Sequence, residues 1–194
     1  VGAPVFYFDL NSPYAYLAAE RIDDLIPDAE WRPIAFPWLL QQQGRLEAAM
    51  ARDPAVAVAA TADRLAERGL PPLSTGAGWP LSWSLTPLRA ALAADEQGRM
   101  KEFVRGAFRK VFAEGMPLND DANLRAVARD AGLDPDAVMA AVERPEIKQR
   151  LKENGEEALA RGVTGIPTVA VGDELFWGDD RLEEAALAAR SHRD

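Results

Sequence analysis

The stretch FYFDLNSPYAYL, residues 6–17, changes its hydrophobic period at its middle. Val5 to Leu10 is a short apolar run rich in aromatic residues, and at that length a buried strand is favoured over a helix. From Pro13 onward the apolar residues Tyr14, Leu17, Ala18, Ile22, Leu25 and Ile26 fall at helical spacing. Ser12 is a natural N-cap for that helix and Pro13 suits its first position. Pro27 ends it, and EWRPIAF, residues 30–36, reads as a second strand whose Pro33 points to a sheet edge or an irregularity. The opening is therefore a β-α-β unit.

At the other end, GVTGIPTVAVGDELFWGDDRLEEAALAA, residues 162–189, predicts a hairpin and then a helix. Thr168–Val171 and Glu174–Trp177 flank the two-residue turn Gly172-Asp173, and a final helix follows from Asp179. Between Pro37 and Gly162 nearly every segment reads helical. Thr86-Pro87, Asp53-Pro54 and Asp134-Pro135 mark helix starts, the acidic LNDDANL at 118–124 marks another, and Gly69 and Gly132 fit helix ends. Neither terminal piece has strands enough to stand alone. The expectation is an α/β fold in which residues 1–36 and 162–194 form one split sheet domain and residues 37–161 form an inserted helical domain.

The 194 residues carry 22 Lys and Arg against 31 Asp and Glu, a formal charge of −9 that disfavours a phosphate-backbone partner, so nucleic acid is not expected. No apolar run approaches the roughly 20 residues of a membrane span. No basic segment leading an apolar one precedes the first strand, and the expectation is a cytoplasmic protein. With no cysteine in the chain, disulfides, thiolate metal sites and a thiol nucleophile of its own are excluded. The single histidine, His192, lies at the fraying end of the chain, a poor place for a triad or a metal cage.

NSPYAY near the start, GIPT at Gly165–Thr168 and the GDDRL that follows the hairpin, together with the helical insert, resemble the 2-hydroxychromene-2-carboxylate isomerase family and the related kappa-class glutathione transferases. The resemblance implies a thioredoxin-like fold in which SPYA replaces the Cys-X-X-Cys of the redox branch. It implies an external thiol, reduced glutathione or another low-molecular-weight thiol, with its sulfur beside Ser12 as the catalytic residue. It implies that Ile166, before Pro167 in a cis-proline loop, clamps the thiol through its backbone, and that Asp179 and Asp180, followed by Arg181, hold the γ-glutamyl end. A homodimer is also implied.

The physics suits such a use of Ser12. A free thiol has a pKa near 8.5, and the thiolate is the reactive form. A charge-assisted hydrogen bond from the hydroxyl contributes about 1.5–3 kcal/mol and a helix N-terminus about 0.3–1. Together they lower the pKa by roughly 1–3 units. The family reaction interconverts a cyclic hemiketal and an open, trans, unsaturated keto acid on an aromatic ring, by reversible thiolate addition that lets the double bond rotate. The resemblance thus implies a small aromatic carboxylate as the substrate.

Phe36, Trp38, Trp79 and Trp83 fall at the edges of the insert, placed to wall an aromatic pocket with Tyr14, and Arg89 is placed to attract a carboxylate. By pattern alone each of these aromatics is simply core, and Arg89 is equally part of a solvated helix face. Likewise Ser12, Asp179 and Asp180 have a plain capping explanation, and Pro167 that of an ordinary trans proline. Trp83 or Ser84 stands where the family usually has a substrate-holding asparagine. A kappa-like transferase and a non-catalytic thioredoxin-like binding module remain open alternatives.

Overall fold

A computed structural model describes residues 2–74 and 85–192 of the chain, so Trp79, Trp83 and Ser84 lie outside the described residues. The elements run β1 (Val5–Phe8), α1 (Pro13–Ala19), α2 (Ile22–Leu25), β2 (Glu30–Pro33), α3 (Phe36–Gln42), α4 (Leu46–Met50), α5 (Pro54–Glu67) and α6 (Thr86–Asp95). There follow α7 (Met100–Phe112), α8 (Asp121–Asp130), α9 (Pro135–Ala141), α10 (Pro145–Ala160), β3 (Thr168–Val171), β4 (Glu174–Trp177), a 3-10 turn (Asp179–Arg181) and α11 (Leu182–Ser191).

Four strands form one sheet in the order β2-β1-β3-β4. β1 is parallel to β2, with Phe6 opposite Trp31, and antiparallel to β3, with Phe6 opposite Val169, while β3 and β4 close the hairpin. Pro33 sits on the edge strand, where its missing N–H costs no ladder bond. All four residues of β1 are buried, as a central strand covered on both faces requires.

Alternation along the strands divides the core in two. Phe6, Phe8, Trp31, Val169, Val171 and Phe176 belong to a large cluster shared with α1, α6, α7 and α11. Val5, Tyr7 and Ala170 face the other way, onto Leu39 of α3 and Ala158 of α10. The helices of the long middle segment dock on α1 and β1 through aromatic pairs: the Tyr16 ring stacks on Phe112 at 5.8 Å between centres, and the Phe8 ring is tilted against Phe108 at 6.2 Å. No helix among the described residues is long and apolar enough to cross a membrane.

The helix expected from Pro13 to Ile26 is broken into α1 and α2. Its end tightens at Glu20, where the Arg21 N–H turns to the Ala18 carbonyl at 3.0 Å, and Arg21 leaves the helical region at φ −123°. Ile22 and Ile26 are still fully buried after the break, so the apolar spacing survives while the helix axis does not. The second strand also stops short, at Pro33, because the Phe36 N–H is taken by the Asp9 side chain and opens α3 instead.

Candidate active site

Ser12 is the half-buried N-cap of α1, with φ −104° and ψ 116°. Its Oγ accepts from the Ala15 N–H at 3.1 Å. A serine hydroxyl has one donor besides its acceptor lone pairs, and no bond donated by Ser12 Oγ is formed among the described residues. The cap therefore leaves the hydroxyl hydrogen uncommitted.

Asp9 holds the turn that leads to Ser12. Its carboxylate is 1 % exposed; Oδ1 accepts from the Asn11 N–H at 2.9 Å and from Asn11 Nδ2 at 3.2 Å, and Oδ2 accepts from the Phe36 N–H at 2.9 Å. Burial pushes the Asp9 carboxyl above the usual carboxylate range, against the pull of those three donors. It ties the entrance of α1 to the entrance of α3 in one buried knot. An acid interrupting the apolar run FYFDL is a signal that pattern reading passes over.

The Ile166-Pro167 peptide bond is cis. The Pro167 carbonyl accepts from the Gly178 N–H at 2.9 Å, while neither the N–H nor the C=O of Ile166 has a backbone partner among the described residues. Backbone groups in a folded interior are rarely left so, and an extended peptide can take both. Next to them, Trp177 ends β4 with 53 % of its surface exposed. Its indole lies so close over Gly165 that a Cβ there would stand 2.4 Å from Nε1, which is why this loop opens on a glycine.

Asp179 is fully buried, and its two oxygens are held by Arg64 and Arg68 of the α5 end, the latter at 3.0 Å. Asp180 is exposed, and one of its carboxylate oxygens folds back over Gly178, 2.3 Å from where a Cβ would stand. Gly178 has φ 115°, a conformation that favours glycine. Tyr14, half-buried in the first turn of α1, carries the Arg64 guanidinium 5.8 Å above its ring centre. A continuous series of contacts thus runs from Ser12 and Tyr14 through Arg64 and Asp179 to Gly178 and Pro167.

Trp38 and Arg89 make contacts of their own. Trp38, on α3, packs over α10 so tightly that a Cβ at Gly155 would come within 3.0 Å of its ring. Arg89, on α6, has a buried Nε without a hydrogen-bond partner among the described residues. It also faces Glu143, whose carboxyl is held below its ordinary range chiefly by the Lys148 hydrogen bond, with the charges of Lys148 and Arg89 adding to it. Arg64 and Arg68 were not legible as site residues, because they join Asp179 across 115 and 111 positions of sequence.

A model of the DSBA-like thioredoxin domain matches residues 5–189. The chain is 34 % identical over 185 residues to the 2-hydroxychromene-2-carboxylate isomerase of Sphingobium xenophagum, covering 92 % of this chain and 93 % of that protein. It is 28 % identical over 112 residues to the glutathione S-transferase kappa 2 of Caenorhabditis elegans, covering 53 % and 50 %. A solved structure of a 2-hydroxychromene-2-carboxylate isomerase superposes with a TM-score of 0.75 at 24 % identity, over 99 % of this chain and 95 % of the other, a likeness of fold.

Proposed function

The chain belongs to the DSBA-like thioredoxin domain family, and from that membership we propose that it is a glutathione-dependent isomerase of 2-hydroxychromene-2-carboxylate or of similar aromatic unsaturated keto acids. Its relatives are named as isomerases and as a glutathione transferase, and the chain is an enzyme. The observation that carries the reading is the Ser12 hydroxyl, capped through its oxygen and uncommitted at its hydrogen, in a chain with no cysteine.

The residues present fit a small thiol peptide. The N–H and C=O of Ile166, without a backbone partner among the described residues, offer one donor and one acceptor to an extended backbone, and Asp180 offers an exposed carboxylate to an ammonium group. When bound, the thiol supplies a nucleophile that adds reversibly to the conjugated double bond and lets it rotate. Ser12 donates to the sulfur and favours its anionic form by about 1.5–3 kcal/mol, a shift of roughly 1–2 pKa units. Asp9, through Asn11, keeps the turn that aims this hydroxyl. Asp179 serves from behind, holding two arginines rather than meeting the ligand through its own buried oxygens.

Titration of reduced glutathione into the protein at neutral pH, with Ser12→Ala beside it, tests the reading. Wild type should bind with release of a proton, and the variant should bind with less or none. Equal proton release from both would remove Ser12 from the chemistry. The kappa-class relative favours one second reading, a transferase, for which the product would carry the thiol's mass.

A further inference from the structure

We infer that Gln43 and Arg45, at the end of α3, are positioning residues that hold the loop of Ile166 ready for the thiol, and that the two ends of this one helix keep the two halves of the site. This rests on the proposed thiol site and adds what keeps it in shape before the ligand arrives.

The loop between α10 and β3 belongs to no helix or strand, yet its carbonyls are taken one after another. The Val163 carbonyl accepts from Gln43 Nε2 at 2.8 Å, and the Thr164 carbonyl accepts from Arg45 Nη1. The Gly165 carbonyl accepts from the Thr168 hydroxyl at 2.7 Å, and the Pro167 carbonyl from the Gly178 N–H at 2.9 Å. From Val163 to Pro167, the Ile166 carbonyl alone is without a hydrogen bond among the described residues. A loop satisfied on either side of one open residue presents a single place for another backbone to dock.

Gln43 and Arg45 reach this loop together. α3 ends in a turn on Gly44, whose φ is 67°, with the Arg45 N–H on the Leu40 carbonyl at 2.8 Å and the Gly44 N–H on the Gln41 carbonyl at 3.1 Å. Arg45 Nη1 also donates to Gln43 Oε1 at 2.9 Å, so both ends of the Gln43 amide are engaged and its Nε2 is aimed at the loop. Leu39, Val163 and Ile166 share one buried cluster, which seats the helix beside the loop it holds. At the other end of α3, the Phe36 N–H donates to Asp9, whose carboxylate also shapes the turn of Ser12. The sulfur half of the site therefore hangs on the first residue of α3, and the backbone half hangs on its end. Loosening the second should weaken the grip on the peptide and leave the sulfur alone.

Calorimetric titration of reduced glutathione and of S-methylglutathione into wild type, Gln43→Ala and Arg45→Ala at neutral pH tests this without any turnover. A site that works through addition at sulfur must admit a carbon there, so the methylated ligand reads the backbone grip with no ionisable thiol. Both variants should bind either ligand about 5- to 30-fold more weakly, the cost of ordering one residue's backbone on binding. Proton release per glutathione bound should stay at the wild-type value. Neither side chain is fully buried, so both variants should fold, and either one alone carries the test. Unchanged affinity, a loss confined to reduced glutathione, or a fall in proton release like that expected of Ser12→Ala would overturn the role of Gln43 and Arg45 and leave the thiol site standing. Absence of glutathione binding by wild type would overturn both.

Discussion

Replacing Ser12 separates a structural cap from a chemical donor. The Oγ bond to the Ala15 N–H, 3.1 Å long, is an ordinary N-cap, and its loss in Ser12→Ala should lower stability by about 1 kcal/mol. Six of the seven residues of α1 are buried, so the helix stays docked and the variant folds. The same substitution removes the donor to the bound sulfur, about 1.5–3 kcal/mol, which raises the thiol pKa by roughly 1–2 units at about 1.4 kcal/mol per unit. Ser12→Asp splits the two effects. Aspartate caps as well as serine, so stability should change by only a few tenths of a kcal/mol, whereas a carboxylate beside the sulfur disfavours the thiolate at least as much as alanine does. The measurements are urea midpoints for the protein and the thiolate absorbance of bound glutathione as a function of pH. If Ser12→Ala lost its cap energy yet left the thiol pKa where wild type has it, the hydroxyl would be a cap alone.

Asp9 has a raised carboxyl pKa in the fold, so its contribution to stability is fully present below its ordinary value of 3.8 and is lost as pH rises through the folded value. Between about pH 4 and pH 7, urea midpoints should show wild type losing ground to Asp9→Asn as pH rises; a difference that grows the other way would mean the donors outweigh burial. Asp179→Asn leaves Arg64 and Arg68 facing each other without a buried counter-charge and should cost about 3–5 kcal/mol in urea unfolding. A cost under about 1 kcal/mol would show that the arginines simply turn to solvent. Gly165→Ala places a Cβ 2.4 Å from the Trp177 indole, which must swing away, so the tryptophan emission should shift while the far-ultraviolet circular dichroism stays put. An unchanged emission would place Trp177 off Gly165 in solution.

Local punctuation made the two ends readable. Ser12-Pro13 sits where the hydrophobic period changes, and Gly172-Asp173 sits between two strand-like runs; both signals lie within a few residues of the elements they define. The break between α1 and α2 was not legible, because Ile22, Leu25 and Ile26 keep helical spacing across it. The sequence placed Asp179 and Asp180 together as ligands, yet one is buried under two arginines and the other is exposed. Nothing local announces that difference, since the partners come from α5. Trp38 illustrates the same limit: its place over Gly155 is set by how α3 meets α10, a contact between segments far apart in the chain.

The most direct test of the proposed isomerase is turnover of 2-hydroxychromene-2-carboxylate with reduced glutathione present at far less than one equivalent of substrate. A borrowed nucleophile that is returned in each cycle predicts conversion to the equilibrium mixture of isomers, no conversion without the thiol, and full recovery of glutathione at the end. Conversion that stops at one equivalent of thiol, or that runs equally fast with none, would contradict it.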